Sequence, residues 1–313
     1  MENEFVNPNG QNAQVASASA PAKRYGNWPL IILAALFIIV PFLTWYGTWF
    51  GRNLSDEDIA KYLAEEKNPR HIQHALTQVE TRIEKSDPTA KKFYPQIVSL
   101  TGSPFAEIRK TVAWVMGQDN TSDEFHRALL KLLSDSEPLV RRNAALQLVR
   151  FGDASGRPEL RAMLQAFEVK STMSGTIVSI LSVGSNIHAG ALLARIRGNN
   201  SMGSDEKGTQ GSNISSGTQA ASSGAVQEFR SPLDGQIASL AVREGDSVTS
   251  GESICSLTPD QATVKDALRA LAYVGRSDDL PLIETYANSS TDSDLRTVAS
   301  QCASSIHTRG TDR

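Results

Sequence analysis

Apolar positions follow three different periods along this chain. From Leu30 to Trp49 they run on without a single charged residue. Over 56–166, and again over 261–307, they recur at helical spacing. Between those two stretches, over 169–258, they alternate in short runs divided by glycines, the mark of small β-structure. The order predicted is an apolar helix, a helical region, a β insertion and a resumed helical region.

The first run, Trp28 to Phe50, reads WPLIILAALFIIVPFLTWYGTWF. About 20 residues at 1.5 Å each span roughly 30 Å, the thickness of a bilayer core. Tyr25 and Trp28 lie at one end and Trp45, Tyr46 and Trp49 at the other, as in an aromatic belt. The run ends in bulky aromatics rather than the small residues of a signal-peptide cleavage site. A retained transmembrane helix is therefore expected over 28–50. Lys23 and Arg24 precede it, and Asp56, Glu57 and Asp58 follow it. The positive-inside rule puts residues 1–27, a polar tail expected to be disordered, in the cytoplasm and everything after the helix outside.

The helical region repeats internally. Ile108-Arg109-Lys110-Thr111-Val112 aligns with Val140-Arg141-Arg142-Asn143-Ala144, and Ile97 and Leu100 align with Leu129 and Leu132 at the same offset. Each unit is an apolar helix, a turn with Pro104 or Pro138, and a second helix opening on an apolar–basic pair. Gly117 and Gly152 fall near the ends of second helices, where a capping glycine is expected. Val264-Lys265 and Leu295-Arg296 resume the pattern, and Gly275–Ile283 aligns with Gly152–Leu160. The helix at 157–166 is thus expected to pair with one at 262–274 across the insertion. Loop-closure entropy grows only logarithmically with length, so a long insertion there costs little.

These units resemble HEAT-like repeats, with an acidic residue in the turn and a basic residue on the second helix. Arg109, Asp135, Arg141, Lys265 and Arg296 stand where the family's inter-repeat ladder lies. The resemblance implies a solenoid whose stacked pairs bind other proteins on an extended surface. The plainer reading is an antiparallel helical bundle.

Within the insertion, residues 169–197 match 229–258. Gly175 aligns with Gly235, Ile177 with Ile237, Gly190 with Gly251, and Gly184 with Gly245 after a one-residue difference. Two copies imply two interlocked halves, with the glycines taking up turn conformations closed to other residues. SPLDGQI and REGDSVTSGESICSL resemble the biotinyl/lipoyl-like barrel-sandwich hybrid. Gly175, Gly190, Gly235, Gly245 and Gly251 are its structural turns.

Carrier domains of that family hold their cofactor on a lysine at the hairpin tip between the halves. Here the halves are parted by a Gly/Ser-rich flexible segment, 198–227. Its one lysine, Lys207, is rejected as an attachment site, because a loose tether defeats the positioning that swinging-arm chemistry needs. No cofactor is expected. A split hybrid after a membrane helix also resembles HlyD-type membrane-fusion adaptors, although this insert lacks their heptad hairpin.

Charge and chemistry narrow the function. The net charge is −3 and the pI about 6.0, which speaks against a nucleic-acid partner. His71 and His74 stand one helical turn apart, but no third metal ligand follows at a suitable spacing, so no metal site is expected. No catalytic constellation is legible. Two cysteines, Cys255 and Cys302, are too few for a disulfide scaffold, and their pairing is left open. The expectation is a non-enzymatic membrane-anchored adaptor binding an unidentified protein partner, a transporter among the candidates; the HlyD-type resemblance implies a bacterial inner membrane with the domains facing the periplasm. The alternatives are a component of a HlyD-type export system and a degenerate biotin or lipoate carrier subunit.

Overall fold

The computed structural model describes residues 28–45, 53–65, 67–198 and 224–311. The chain divides into two units, one ending at Asn53 and one beginning at Leu54.

The first unit contains helix α1, Trp28–Trp45, of 18 residues. At 1.5 Å per residue it is about 27 Å long, short of the roughly 30 Å hydrocarbon core. Among the described residues no helix is long and apolar enough to cross a membrane. This overturns the transmembrane helix expected over 28–50 and the membrane contact assigned to it. The single-pass inner-membrane placement, with its cytoplasmic N-terminus and periplasmic domains, falls with it. The tail expected over 1–27 and residues 46–50 lie outside the described residues.

The second unit begins with helices α2 (Asp56–Leu63) and α3 (Pro69–Glu84). The acidic trio Asp56, Glu57 and Asp58 has a local role here. It fills the first turn of α2, where carboxylates oppose the positive end of the helix dipole, and Ser55 caps the same turn by accepting from Asp58 N at 3.1 Å. Next come α4 (Tyr94–Ser99), α5 (Ala106–Met116), α6 (Asp123–Leu132) and α7 (Pro138–Arg150). The first helices α2, α4 and α6 form one layer and the second helices α3, α5 and α7 another. One core runs between the layers through Ile59, Leu76, Ile97, Ile108, Val112, Phe125, Leu129 and Leu148.

Helix α8 (Arg157–Ala162) follows, and the chain then leaves the helical layers for eight strands. It returns as α9 (Gln261–Val274), α10 (Leu280–Ser289) and α11 (Ser293–Thr311). Leu160, Met163 and Leu164, around the end of α8, share a second core with Val264, Leu268 and Leu271 of α9 and with Ile283, Leu295 and Ile306 beyond it. The layer of second helices continues from α7 to α9 and then to α11.

The strands are β1 (Phe167–Lys170), β2 (Gly175–Ile180), β3 (Asn186–Ile187), β4 (Leu192–Gly198), β5 (Val226–Arg230), β6 (Gly235–Leu240), β7 (Ser247–Val248) and β8 (Ser253–Thr258). They form two antiparallel four-stranded sheets, ordered β1-β8-β6-β3 and β5-β4-β2-β7. Replacing each strand of the first half by its counterpart in the second, β1 by β5 through β4 by β8, turns one sheet order into the other. Each sheet therefore takes two strands from each half. The sheets close over a single core of Val169, Ile177, Ile187, Leu193, Ile196, Ile237, Val248 and Ile254.

Reciprocal hydrogen bonds tie the halves together. Gly184 N donates to Ile237 O and Gly245 N to Ile177 O, each at 2.8 Å, while Gly190 N donates to Ser231 O and Gly251 N to Ser171 O. These four glycines have φ between +79° and +92°, the left-handed region that favours glycine. Gly175 and Gly235 have no positive φ. They open β2 and β6, where a Cβ would stand 2.4 Å from Arg197 O and 2.5 Å from Thr258 O. Their requirement is close approach of two strands, not turn conformation. Lys207 lies outside the described residues.

Candidate interaction surface

The second helices α3, α5, α7, α9 and α11 lie side by side, and a ladder of basic residues on them fixes the spacing. Arg109 on α5 grips Asp135, in the turn of the next pair, through Nε at 2.7 Å and a second guanidinium nitrogen at 2.8 Å. Both side chains are largely buried. The Arg109 guanidinium, donating to the Asp135 carboxylate, holds its pKa below the usual carboxylate range against the opposing effect of burial. Arg109 also donates to Ser103 O at 2.8 Å, and Arg141, one unit on, donates to Asp135 O at the same distance. The repeat thus extends to individual hydrogen bonds. Arg141 reaches forward in turn to Glu159, at 3.2 Å from its Nε. Spacing had grouped Asp135 with Arg141 of its own unit, but the carboxylate goes to Arg109 and Arg141 takes the carbonyl. Lys265 meets Asp294 at 2.5 Å and Asp292 at 3.6 Å. Arg296 is exposed on α11 and forms no ion pair among the described residues.

Gly175, Gly190, Gly235, Gly245 and Gly251 all lie in the strand insertion and none on the helical face. His71 donates from Nδ1 to the Glu65 carboxylate at 2.5 Å and stacks on Tyr62, with centroids 4.2 Å apart. His74 buries its Nε2. Among the described residues no three side chains of metal-ligating type converge. Cys255 and Cys302 are both free and buried, in β8 and α11. Burial pushes their thiols up to about 11 and about 12. Arg142 is buried where the helices meet the insertion, 6.0 Å from the Phe167 ring and 3.9 Å from Glu159.

Sequence reasoning did not single out Trp114. It lies on α5 with 45% of its surface exposed, although large apolar side chains elsewhere on α5 are buried. Its Nε1 donates to Glu80 on α3 at 2.5 Å, so the indole is held across two second helices. Beside it a shallow cleft of about 310 Å³ opens between α5 and α7, lined by Lys110, Thr111, Trp114 and Asn143. The available signal was the repeat itself: Trp114 aligns with Leu146, one turn beyond Lys110 and Arg142. Leu146 packs against the second core, whereas Trp114 keeps its indole exposed at the matching position.

Residues 94–172 match the family model for HEAT repeats. Over that segment the chain is similar to HEAT repeats. The matched segment runs from α4 past the end of β1 and so includes the ion-pair ladder from Arg109 to Glu159 and the Trp114 cleft. No curated protein matches the chain. Among solved structures it is similar to the crystal structure of an engineered protein, at 14% identity and a TM-score of 0.39, over 80% of this chain and 78% of that one. It is also similar to a single-chain, multi-domain long-chain acyl-CoA carboxylase, at 17% identity and a TM-score of 0.22, over 55% of this chain and 14% of that one. Scores this low leave the reading to the chain's own geometry.

Proposed function

We propose that the chain is a non-enzymatic scaffold that binds protein partners on its layer of second helices. The observation that carries this is Trp114, a half-exposed indole fixed by Glu80 over a cleft within the HEAT segment. Binding energy at protein interfaces concentrates in a few residues, and tryptophan is foremost among them. Stacked helical pairs supply the extended surface around it.

The insertion is a second binding module of the biotinyl/lipoyl-like kind, and it works without a cofactor. Its two sheets exchange under the mapping of one half onto the other, as expected of interlocked halves. The lysine that would make it a carrier is replaced by a Gly/Ser-rich segment.

A photo-crosslinking amino acid placed at Asn143, in the cleft, should capture a protein partner in the source cells. The same group at Arg127, exposed on the first-helix layer, should not. Equal yields at the two positions would overturn the assignment of the second-helix layer. Intact-mass measurement of the native chain should give the bare polypeptide mass. An added biotin or lipoate would replace the scaffold reading of the insertion by the carrier reading.

A further inference from the structure

We propose that the cleft between α5 and α7 takes one apolar side chain of a partner protein together with a nearby aspartate or glutamate on the same face. This rests on the reading of the second-helix layer as a protein-binding surface and names what it recognises.

Several polar groups of the cleft are already engaged within the chain. Trp114 spends its only donor on Glu80, so toward the cleft it offers ring surface alone. Thr111 donates its hydroxyl hydrogen to Glu107 O at 2.9 Å, and Asn143 gives one amide hydrogen to Leu139 O at 2.9 Å. The volume of about 310 Å³ is at the bottom of the range for small-molecule pockets, suited to one side chain and its neighbour. An apolar group on the indole fits both facts.

Lys110 decides the charge. It is the one charged residue lining the cleft among the described residues. Its ammonium has three donors, and the ion pair it makes is to Glu107 at 2.5 Å. That pair is an i,i+3 contact whose carboxylate is 64% exposed, an arrangement that contributes little and that an incoming carboxylate can share or displace. The remaining amide hydrogen and the carbonyl oxygen of Asn143 are left for the partner's main chain. Lys110 and Trp114 lie one turn apart on the same helix face, so a carboxylate on the same face of the partner as the apolar side chain reaches the ammonium.

A displayed random heptapeptide library selected on the full chain tests this. The enriched sequences should share an apolar–acidic pair, and a synthetic peptide of that consensus should bind Trp114→Ala at least about tenfold more weakly. Selection on Lys110→Glu should exchange the acidic residue for a basic one. Circular dichroism melts check that each variant folds; should Trp114→Ala unfold, the exchange of consensus on Lys110→Glu decides alone. Enriched peptides indifferent to both substitutions overturn the cleft proposal and leave the layer a protein binder through other residues. No enrichment on any variant overturns both.

Discussion

Arg157 grips Asp279 with two hydrogen bonds, at 2.7 and 3.0 Å, across 122 positions of sequence. Asp279 is fully buried. It also accepts from Arg161 at 2.5 Å and from the main-chain nitrogen of Arg276 at 2.8 Å. The contact fastens α8, the last helix before the strand insertion, to the turn that opens α10. Tyr286 reinforces it by donating its hydroxyl hydrogen to Leu164 O at 2.6 Å. The helical layer therefore closes on itself behind the insertion.

Removing the carboxylate should loosen that closure. Asp279→Ala leaves two arginines facing each other, with only the half-exposed Asp278 to offset them. A loss of about 3 kcal/mol in denaturant unfolding is expected, the low end for breaking a buried pair on one side. Burial alone would raise the Asp279 pKa, but the hydrogen bonds from Arg157, Arg276 and Arg161 outweigh it and hold it below the usual range. A depressed carboxylate stabilises fully above its unfolded pKa of about 4, and that stability fades as pH falls below it. Wild type should therefore lose stability between about pH 4 and lower values, and Asp279→Ala should lose less over the same interval. Identical acid profiles would refute the assignment.

The insertion should be removable. β1 and β8 pair with Phe167 opposite Leu257, so the chain enters and leaves it side by side, about 5 Å apart. Joining the ends of a chain lacking 169–258 by a short Gly/Ser loop should leave a helical protein that melts cooperatively by circular dichroism. A molten product would mean that the two cores need each other.

Conversely, the insertion should be damaged selectively. Val248 is 2% exposed in the strand core, and Val248→Asp buries a charge there at a cost of several kcal/mol. Gly245→Ala, at φ +92°, should cost about 1–2 kcal/mol. Both should abolish or weaken protease resistance between 169 and 258 while the helical signal persists. A common loss of both would argue against separate cores.

Both thiols should be silent in the native state. With the thiol pKa values raised by burial to about 11 and 12, thiolate is scarce at pH 8. A thiol-exchange reagent at pH 8 should report two groups only after denaturation. Rapid native reaction would place one of them at the surface.

Much of the helical region is legible in the sequence, because a pair cannot bury its apolar face without its neighbour and the repeat must recur. The offset between Ile108 and Val140 reaches down to the hydrogen bonds of Arg109 and Arg141. The short antiparallel sheets also follow from alternation broken by glycine. Gly175 and Gly235 needed more than sequence, since what crowds them is a carbonyl on another strand. The membrane helix misled because apolarity was counted along the chain, whereas a bilayer reads helix length, and among the described residues no helix is long and apolar enough to cross one. Asp279 was hidden by distance. Its counterpart in the aligned unit is Gly156, which packs on Ala145 with no room for a side chain. A carboxylate where the sister unit keeps a glycine was the available clue. Trp114 was missed because periodicity identifies an apolar face without saying which member of it stays outside.

The place of the insertion also sets a timetable for synthesis. The apolar residues Leu160, Met163 and Leu164 meet their α9 partners only after the whole insertion has been made. At roughly 5–20 residues per second, the ~100 residues between them occupy a ribosome for about 5–20 s. Strands β1 to β8 are contiguous in the chain and can close their own core in that interval. The emerging chain thus holds a finished β module on an unfinished helical layer, and α9, followed by α10 and α11, arrives afterwards to seal the seam behind it.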